Sequence, residues 1–485
     1  MEWKFYGRHD LLQQLRQIVA RGRWFFVQIR GRRRIGKTTL IQQALAGGTR
    51  PAFYVQIPDS APTGVLSAFR DAMETFGVPP SVTAPPQNPL GFARAVAALV
   101  RAGYIVALDE FQYFNRKHLF EFNSHLQTVI DELNRPSTSA SGGLFVLGSI
   151  HTEMEALLED RRAPLYNRVT DTLTVTHLDV AAVLEILRAH ADDSPERLLF
   201  LWNLFEGVPK FYRDCFEQGA LNDDRASLLR KMFFRSSSPL RTEADNWFLN
   251  ELRGRYDVVL KFVARNPGCN NGEITEHVRT TNPEAEEQVA GYVKILIDKY
   301  EMIEKRLPVF AKEKERKGRY YIRDNFLRSW LAALASPVHA LNFRPEDDLV
   351  RQADARLYEA EGYGLERLVA QLYEERGRKG LGDFALTERV AGYWDKGGTE
   401  IDLVAVDELN GVIRFGSCKR SAGKLFASLA VDDQHIARFL DALPRYRGMA
   451  IEKAAIAPTL TSDERARLEG RGWIAQDLTT LTAGL

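Results

Sequence analysis

Short apolar runs ending in small or polar residues set the pattern of the first third of the chain: Trp24-Phe-Phe-Val-Gln-Ile29, Tyr104-Ile-Val-Ala-Leu108 and Leu144-Phe-Val-Leu147. Each is too short for a typical helix and too continuous for a half-exposed strand, which predicts central strands of a parallel sheet covered on both faces. Thr39-Leu-Ile-Gln-Gln-Ala-Leu45 reads as a helix start after the first run. Further on, Tyr256-Asp-Val-Val-Leu-Lys-Phe-Val-Ala264 has helical spacing and stops at Asn266-Pro-Gly268. Gly272–Val278 makes a short second helix, and Asn282-Pro283 opens a third through Val289, Tyr292, Val293, Leu296 and Ile297. Met302–Arg306 and Arg319–Asp324 then pair as a ribbon, the order of a helix-turn-helix with a wing. In the last third, a helix around Glu361–Leu372 precedes a strand at Glu400–Val406, a turn at Asn410-Gly411 and a strand at Val412–Lys419.

The polar residues between the first strand and helix carry the strongest chemical signal. Gly31-Arg-Arg-Arg-Ile-Gly36-Lys37-Thr38-Thr39 fits the phosphate-binding template G-x-x-x-x-G-K-[ST] at every fixed position, with strand before and helix after. Gly31 and Gly36 let the backbone curl so that N–H groups face phosphate oxygens, and the new helix adds the positive end of its dipole. Lys37 is placed to reach the terminal phosphates and the Thr38 hydroxyl to complete a Mg²⁺ shell. Such a site also needs a carboxylate for the metal and a group to orient water. Asp109 and Glu110 supply them at the end of the second run, which is expected to lie beside the first strand. Ser149 ends the third run and is a candidate sensor of the γ-phosphate.

The chain resembles the archaeal-type ATPases, relatives of the AAA+ and STAND NTPases, through Phe5-Tyr-Gly-Arg8, the loop at 31–38, Leu108-Asp-Glu-Phe111, Leu147-Gly-Ser149, Pro164-Leu-Tyr-Asn-Arg168 and Glu206-Gly-Val-Pro209. The resemblance implies a P-loop core, a helical lid and a winged helix, with ATP and Mg²⁺ as ligands. It places Gly7 and Arg8 near the nucleotide, Pro209 by the base, and Arg168 as a charge reaching toward phosphate. Asn167 and Glu206 stand where relatives carry glycine. Relatives assemble for hydrolysis when a neighbour supplies an arginine, so a homo-oligomer is compatible with this reading.

Composition changes the picture only at the margins. At 485 residues the chain exceeds what one core supports. The expected division is a P-loop ATPase core at 1–175, a helical lid at 176–245, a winged helix at 246–340 and a restriction-endonuclease-like α/β domain at 341–485. A net charge of +1 gives no global attraction to nucleic acid, so contact has to come from local patches. The start of the chain lacks a signal-peptide core and no apolar run is long enough for a membrane helix. Cys215, Cys269 and Cys418 are widely spaced and odd in number, which suits a reducing cytoplasm.

Two segments suggest how the nucleotide signal is used. Lys305, Arg306, Lys312, Lys314, Arg316, Lys317 and Arg319 make the wing basic enough for non-specific phosphate contact with DNA, although Glu284, Glu286 and Glu287 open the third helix with repulsive charge. In the C-terminal part, Glu366 on a helix, Asp402 on a strand and Lys419 at the end of the next strand resemble the PD-(D/E)xK nuclease fold, whose acids hold Mg²⁺ while a lysine helps deprotonate water. Ser417 occupies the position of the second acid, and Glu400, on the same strand face as Asp402, is a candidate replacement. The leading expectation is an ATP-driven switch on DNA. The alternatives are an active Mg²⁺-dependent endonuclease of defence or a mobile element, and a STAND-like signalling ATPase with a protein partner and no nucleic acid.

Overall fold

The computed structural model describes residues 2–136, 140–245, 256–281, 288–312, 315, 317–383 and 385–485. Gly7–His177 with Val208–Lys210 form one compact unit, and Met1–Tyr6, Leu178–Gly207 and Phe211–Leu485 form another.

In the first unit, β1 (Phe26–Arg30), β2 (Ala52–Gln56), β3 (Ile105–Asp109), β4 (Gly143–Gly148) and β5 (Asp171–Thr174) make one parallel sheet in the order β2-β3-β4-β1-β5. The three apolar runs lie at its centre, and helices cover both faces as their continuous hydrophobicity requires. One expectation needs correcting: β3 is not beside β1. β4 lies between them, pairing Phe26 with Leu144 on one edge and Val106 with Leu144 on the other. A buried strand's composition reports that it is covered, and carries no mark of which strand is its neighbour. Edge-to-face phenylalanines fill one layer, with Phe92 and Phe122 centroids 5.2 Å apart and Phe69 and Phe92 4.8 Å apart. The helix Pro89–Arg101 begins with Asn88 accepting from Gly91 N–H at 2.7 Å and with proline in its first turn.

The second unit contains the helices Val180–His190 and Pro195–Phe205, then Asp257–Arg265, Asn271–Thr281 and Val289–Asp298. An antiparallel ribbon of β6 (Ile303–Arg306) and β7 (Arg319–Ile322) follows. The charges of Glu284, Glu286 and Glu287 and the opening Asn282-Pro283 lie outside the described residues. A single helix of 33 residues, Glu346–Arg378, absorbs the helix expected near 361 and starts directly after Pro345, which fixes the helix-compatible φ without needing a donor. The C-terminal sheet runs β12-β11-β10-β9-β8, from β8 (Ala391–Trp394), β9 (Glu400–Asp407), β10 (Val412–Cys418), β11 (Ala450–Ala457) and β12 (Ile474–Asp477). β9 and β10 are antiparallel across the Asn410-Gly411 turn, where Gly411 has φ 65° and Asp407 accepts from Asn410 N–H at 3.0 Å.

Buried charge ties this second unit together. Glu361 is fully enclosed in the middle of the long helix and accepts from Arg225 and, at 2.8 Å, from Arg420. Arg225 also reaches Asp354 at 2.7 Å and lies 4.1 Å over the Phe200 ring. Removing one partner of such a cluster strands the others in a low dielectric. Glu361→Ala is therefore expected to destabilise the second unit by about 3–5 kcal/mol, read as a lower urea midpoint. An unchanged midpoint would show that the two arginines find solvent instead.

Candidate functional site

The glycine loop turns where β1 ends. A side chain at Gly31 would collide with the Val175 carbonyl, and one at Gly36, where φ is 85°, would lie 3.0 Å from Arg8 Nη1 and 3.5 Å from Pro209 Cγ. Gly31 is required on steric grounds, against backbone, and Gly36 on conformational ones, by its positive φ. Arg8 and Pro209 therefore stand against the second glycine of the loop. Arg8 is fixed there by donating to the Thr176 carbonyl at 2.9 Å. The helix Lys37–Leu45 starts at Gly36, which has no side chain to cap it, so its first N–H groups point toward the loop's concavity. Thr39 is exposed on that first turn.

Lys37 is only 7% exposed, and its ammonium donates to the carbonyls of Gly31 at 2.8 Å and Arg32 at 3.0 Å. Burial pushes its pKa down to about 8, against the opposing pull of Asp109 and Glu110. The Thr38 hydroxyl donates to Asp109 Oδ2 at 2.6 Å, reaching past β4. Tyr54, which sequence reasoning missed, donates to the same oxygen at 2.9 Å from β2, and burial raises its phenol well above the usual range. Glu110 takes a left-handed φ of 54°, which turns its carboxylate off the strand line. Ser149 Oγ lies 3.3 Å from Glu110 Oε2, and Gln112, a second omission, donates to that same carboxylate from a buried position. A polar residue inside the apolar turn Phe111-Gln-Tyr-Phe114 was the signal for it. Lys37, Thr38, Asp109, Glu110 and Ser149 are thus gathered at one edge of the sheet, with donors suited to phosphate and oxygens suited to Mg²⁺.

Arg168 is elsewhere. It precedes β5, and its guanidinium pairs with both oxygens of Asp131 at 2.7 and 2.9 Å. Thr170, two residues on, bonds Phe26 at the start of β1, so Arg168 occupies the opposite end of the strands from the glycine loop. The expected reach toward phosphate is corrected accordingly: Arg168 is held by a bidentate carboxylate at the end of the strands away from the glycine loop. Asn167 and Glu206, the two departures from glycine, have φ of 57° and 52°, the backbone region that glycine enters without strain. Glu206 is buried and its carboxylate meets Arg367 of the long helix at 3.3 Å.

The C-terminal sheet brings together a second group. Asp402 Oδ2 accepts from Lys419 Nζ and, at 2.8 Å, from the Cys418 N–H. Burial raises the Asp402 pKa, and burial with the nearby Asp402 charge pushes Glu366 well above the ordinary carboxylate range. Burial lowers the Lys419 pKa, but its contact with Asp402 outweighs this and leaves it raised. Ser417 lies 3.4 Å, hydroxyl to hydroxyl, from Ser428. Glu400 does not replace the missing acid: its carboxylate is exposed and paired with Arg319 at 2.6 Å. Among the described residues no three His, Cys, Asp or Glu side chains are gathered to hold a metal by themselves.

The basic ribbon is largely committed to internal ties. Arg306 pairs with Glu304 and lies 4.6 Å over Tyr321; Lys317 pairs with Glu315 at 2.8 Å; Arg319 stacks 4.7 Å over Trp394. Trp394 donates to the Lys317 carbonyl at 2.8 Å, Val309 N–H donates to Gly392 O at 2.9 Å, and Phe310 packs on Tyr446. The ribbon is therefore docked on the C-terminal sheet, and Arg306, Lys317 and Arg319 are not the free phosphate contacts expected of a wing. Lys305 and Lys312 remain exposed, while Lys314 and Arg316 lie outside the described residues. Lys305 also borders a cavity of about 780 Å³ with Lys294 and Lys396.

No family model matches the chain. An uncharacterized protein of Methanocaldococcus jannaschii is 23% identical over 407 residues, 83% of this chain and 84% of that protein. A Walker-type ATPase of Pyrococcus abyssi aligns over 67% of this chain and 96% of its own, with a TM-score of 0.51 and 17% identity. The ORC2 protein of Aeropyrum pernix, solved as ADPNP–ADP complexes, aligns over 74% and 97%, with a TM-score of 0.47 and 14% identity. The parallel sheet, its glycine loop and the Pyrococcus likeness define a Walker-type P-loop fold, with a separate mixed sheet in the C-terminal part. No helix of the described residues is long and apolar enough to cross a membrane.

The buried Lys37 yields a proton-linkage expectation. Its folded pKa lies below the ordinary lysine value, so the native chain holds fewer protons than the unfolded one between about pH 8 and 10.5, and stability from this group rises with pH across that window. A phosphate group at the loop favours the charged amine. Nucleotide binding near pH 8 is expected to take up about half a proton, measured by calorimetry in buffers of different ionisation enthalpy. Lys37→Met should abolish the uptake.

Proposed function

We propose that the chain binds ATP with Mg²⁺ at the 31–38 loop, hydrolyses it, and uses the nucleotide state as a switch acting on DNA. The observation that carries this reading is the convergence of Lys37, the Thr38–Asp109 hydrogen bond and Glu110 at the edge of one parallel sheet. Lys37 exchanges its two loop carbonyls for phosphate oxygens. Thr38 and Asp109 hold Mg²⁺, which supplies charge neutralisation between the phosphates. Glu110, steadied by Gln112 and Ser149, orients the attacking water. Arg8 and Pro209 border the base, and adenine is the base that the archaeal-type resemblance implies. Because Arg168 is held by Asp131, a transition-state arginine has to come from elsewhere, which favours a homo-oligomer in which a second copy supplies it.

The switch has a chemical route along the chain. Pro209 meets the glycine loop, and three residues earlier Glu206 grips Arg367, next to Glu366 on the long helix. A nucleotide-dependent shift of the 206–209 segment therefore pulls on the helix that borders the C-terminal sheet. The helices Asp257–Arg265, Asn271–Thr281 and Val289–Asp298 with the β6–β7 ribbon are read as a winged helix. Lys294, Lys305 and Lys312 are its phosphate contacts, joined by Lys396 from the loop between β8 and β9, with duplex DNA bound non-specifically. A second reading, metal-dependent cleavage of phosphodiesters at a nuclease-like C-terminal sheet, is favoured by the Asp402–Lys419 pair.

Steady-state ATP hydrolysis tests the first claim. Lys37→Ala is expected to lower turnover by about a hundredfold or more, and Glu110→Gln to lose turnover while retaining nucleotide binding. Full activity in either variant would remove the site from its role. DNA affinity measured against salt tests the second claim: neutralising Lys294, Lys305 and Lys396 together should flatten the log–log slope by roughly 0.9 per lost contact. DNA binding without salt dependence, or none at all, would favour the signalling reading with a protein partner.

A further inference from the structure

The cavity of about 780 Å³ in the second unit has three walls. The helix Val289–Asp298 contributes Ala290, Val293, Lys294 and Ile297, whose spacing puts them on one face. Lys305 and Tyr320, a register pair of the β6–β7 ribbon, form the second wall, and Asp395 and Lys396 from the loop between β8 and β9 form the third. Gly318 leaves the room in which Lys305 lies, since a Cβ there would fall 2.2 Å from Lys305 Cε. Lys294, Lys305 and Lys396 are exposed and enter no ion pair among the described residues, whereas Lys317 and Arg319 in the same lining are held by Glu315 and Glu400. Two carboxylates border the cavity: Asp395 accepts from the Gly397 and Thr399 N–H groups at 2.8 and 3.0 Å, and Asp298 lies one turn beyond Lys294. Three uncommitted ammonium groups thus converge on one cleft.

A helix that reads duplex DNA has to stand clear of its own protein to enter a major groove about 12 Å wide. Here the face that carries Lys294 is turned into a cleft whose far wall carries Lys396, so paired strands can touch only the rim. An unpaired strand is thin enough to enter, its phosphates can run between the lysines, and its unstacked bases offer a face to an aromatic ring. Tyr320 supplies that ring: it is half-buried in the wall, and its phenol makes no hydrogen bond among the described residues. Trp394 does not, because it is 9% exposed and Arg319 covers its ring. Given the DNA reading above, on which this rests, we infer that the cleft binds one unpaired strand of DNA, with a base on Tyr320 and phosphates on Lys294, Lys305 and Lys396. The DNA on which the chain acts then carries a single-stranded segment beside its duplex.

The test is fluorescence anisotropy of the full chain with three labelled DNAs: oligothymidylate, a blunt duplex, and the same duplex carrying an oligothymidylate tail. The tailed duplex is expected to bind at least about tenfold more tightly than the blunt one. Tyr320→Ala should reduce that ratio at least about fivefold, while Tyr320→Phe, which keeps the ring, preserves it. Lys396→Glu, on an exposed loop, should reduce the ratio as well, and circular dichroism of each variant separates loss of the cleft from loss of the fold. Equal affinity for tailed and blunt duplex overturns the inference and leaves the DNA reading standing. A preference for the tail that survives both Tyr320→Ala and Lys396→Glu in folded protein overturns the assignment to this cleft. Binding of oligothymidylate without binding of blunt duplex supports the cleft and removes the duplex contacts, whereas binding to none of the three DNAs removes the DNA reading and the single-strand site with it.

Discussion

The hydrogen bond from Thr38 to Asp109 spans a strand that neither residue belongs to, and the parallel order of the sheet in the first unit is the constraint that permits it. Thr38 follows β1 and Asp109 ends β3, with β4 between them. Only a parallel sheet, with every strand ending at the same edge, lets the two side chains meet above the intervening strand. The same edge then collects Ser149 after β4 and Glu110 after β3, and excludes Arg168, which precedes its strand. Parallel topology thus decides which residues can take part in one chemistry and which cannot.

Electrostatics in that edge are arranged around a cation held in readiness. Lys37 is buried with two carbonyl oxygens as its partners, and two carboxylates nearby offset part of the desolvation. Its lowered pKa is the signature of a charge that is incompletely compensated, which is the condition for strong interaction with an incoming phosphate. Asp109 is held differently, by the Thr38 and Tyr54 hydroxyls and its own strand's next N–H, so its oxygens are oriented before any metal arrives.

In the second unit, buried ionic ties run alongside apolar packing such as the cluster of Val404, Ile413, Phe415 and Phe439. Glu361 between Arg225 and Arg420, Glu206 with Arg367, and Arg319 with Glu400 link helices, ribbon and C-terminal sheet. The last of these, together with Glu304 on Arg306 and Glu315 on Lys317, occupies three of the basic side chains of the ribbon. The ties also hold Glu206, whose φ is 52°, against the helix that carries Glu366.

The glycine loop, the acids at 109 and 110, the buried strands and the ribbon were legible because each rests on local rules: a fixed spacing, an apolar run, a turn dipeptide. Tyr54 and Gln112 were not, since a single polar residue in a strand or turn has many uses and only its neighbour across the sheet selects one. Arg168 failed for the same reason in reverse, its acidic partner lying 37 positions earlier. The amino-acid order by itself determined the elements and the phosphate-loop chemistry, through propensities and spacings that act over a few residues. Strand order and the diversion of Glu400 to Arg319 were decided only by the tertiary structure, because they depend on which distant segments pack together.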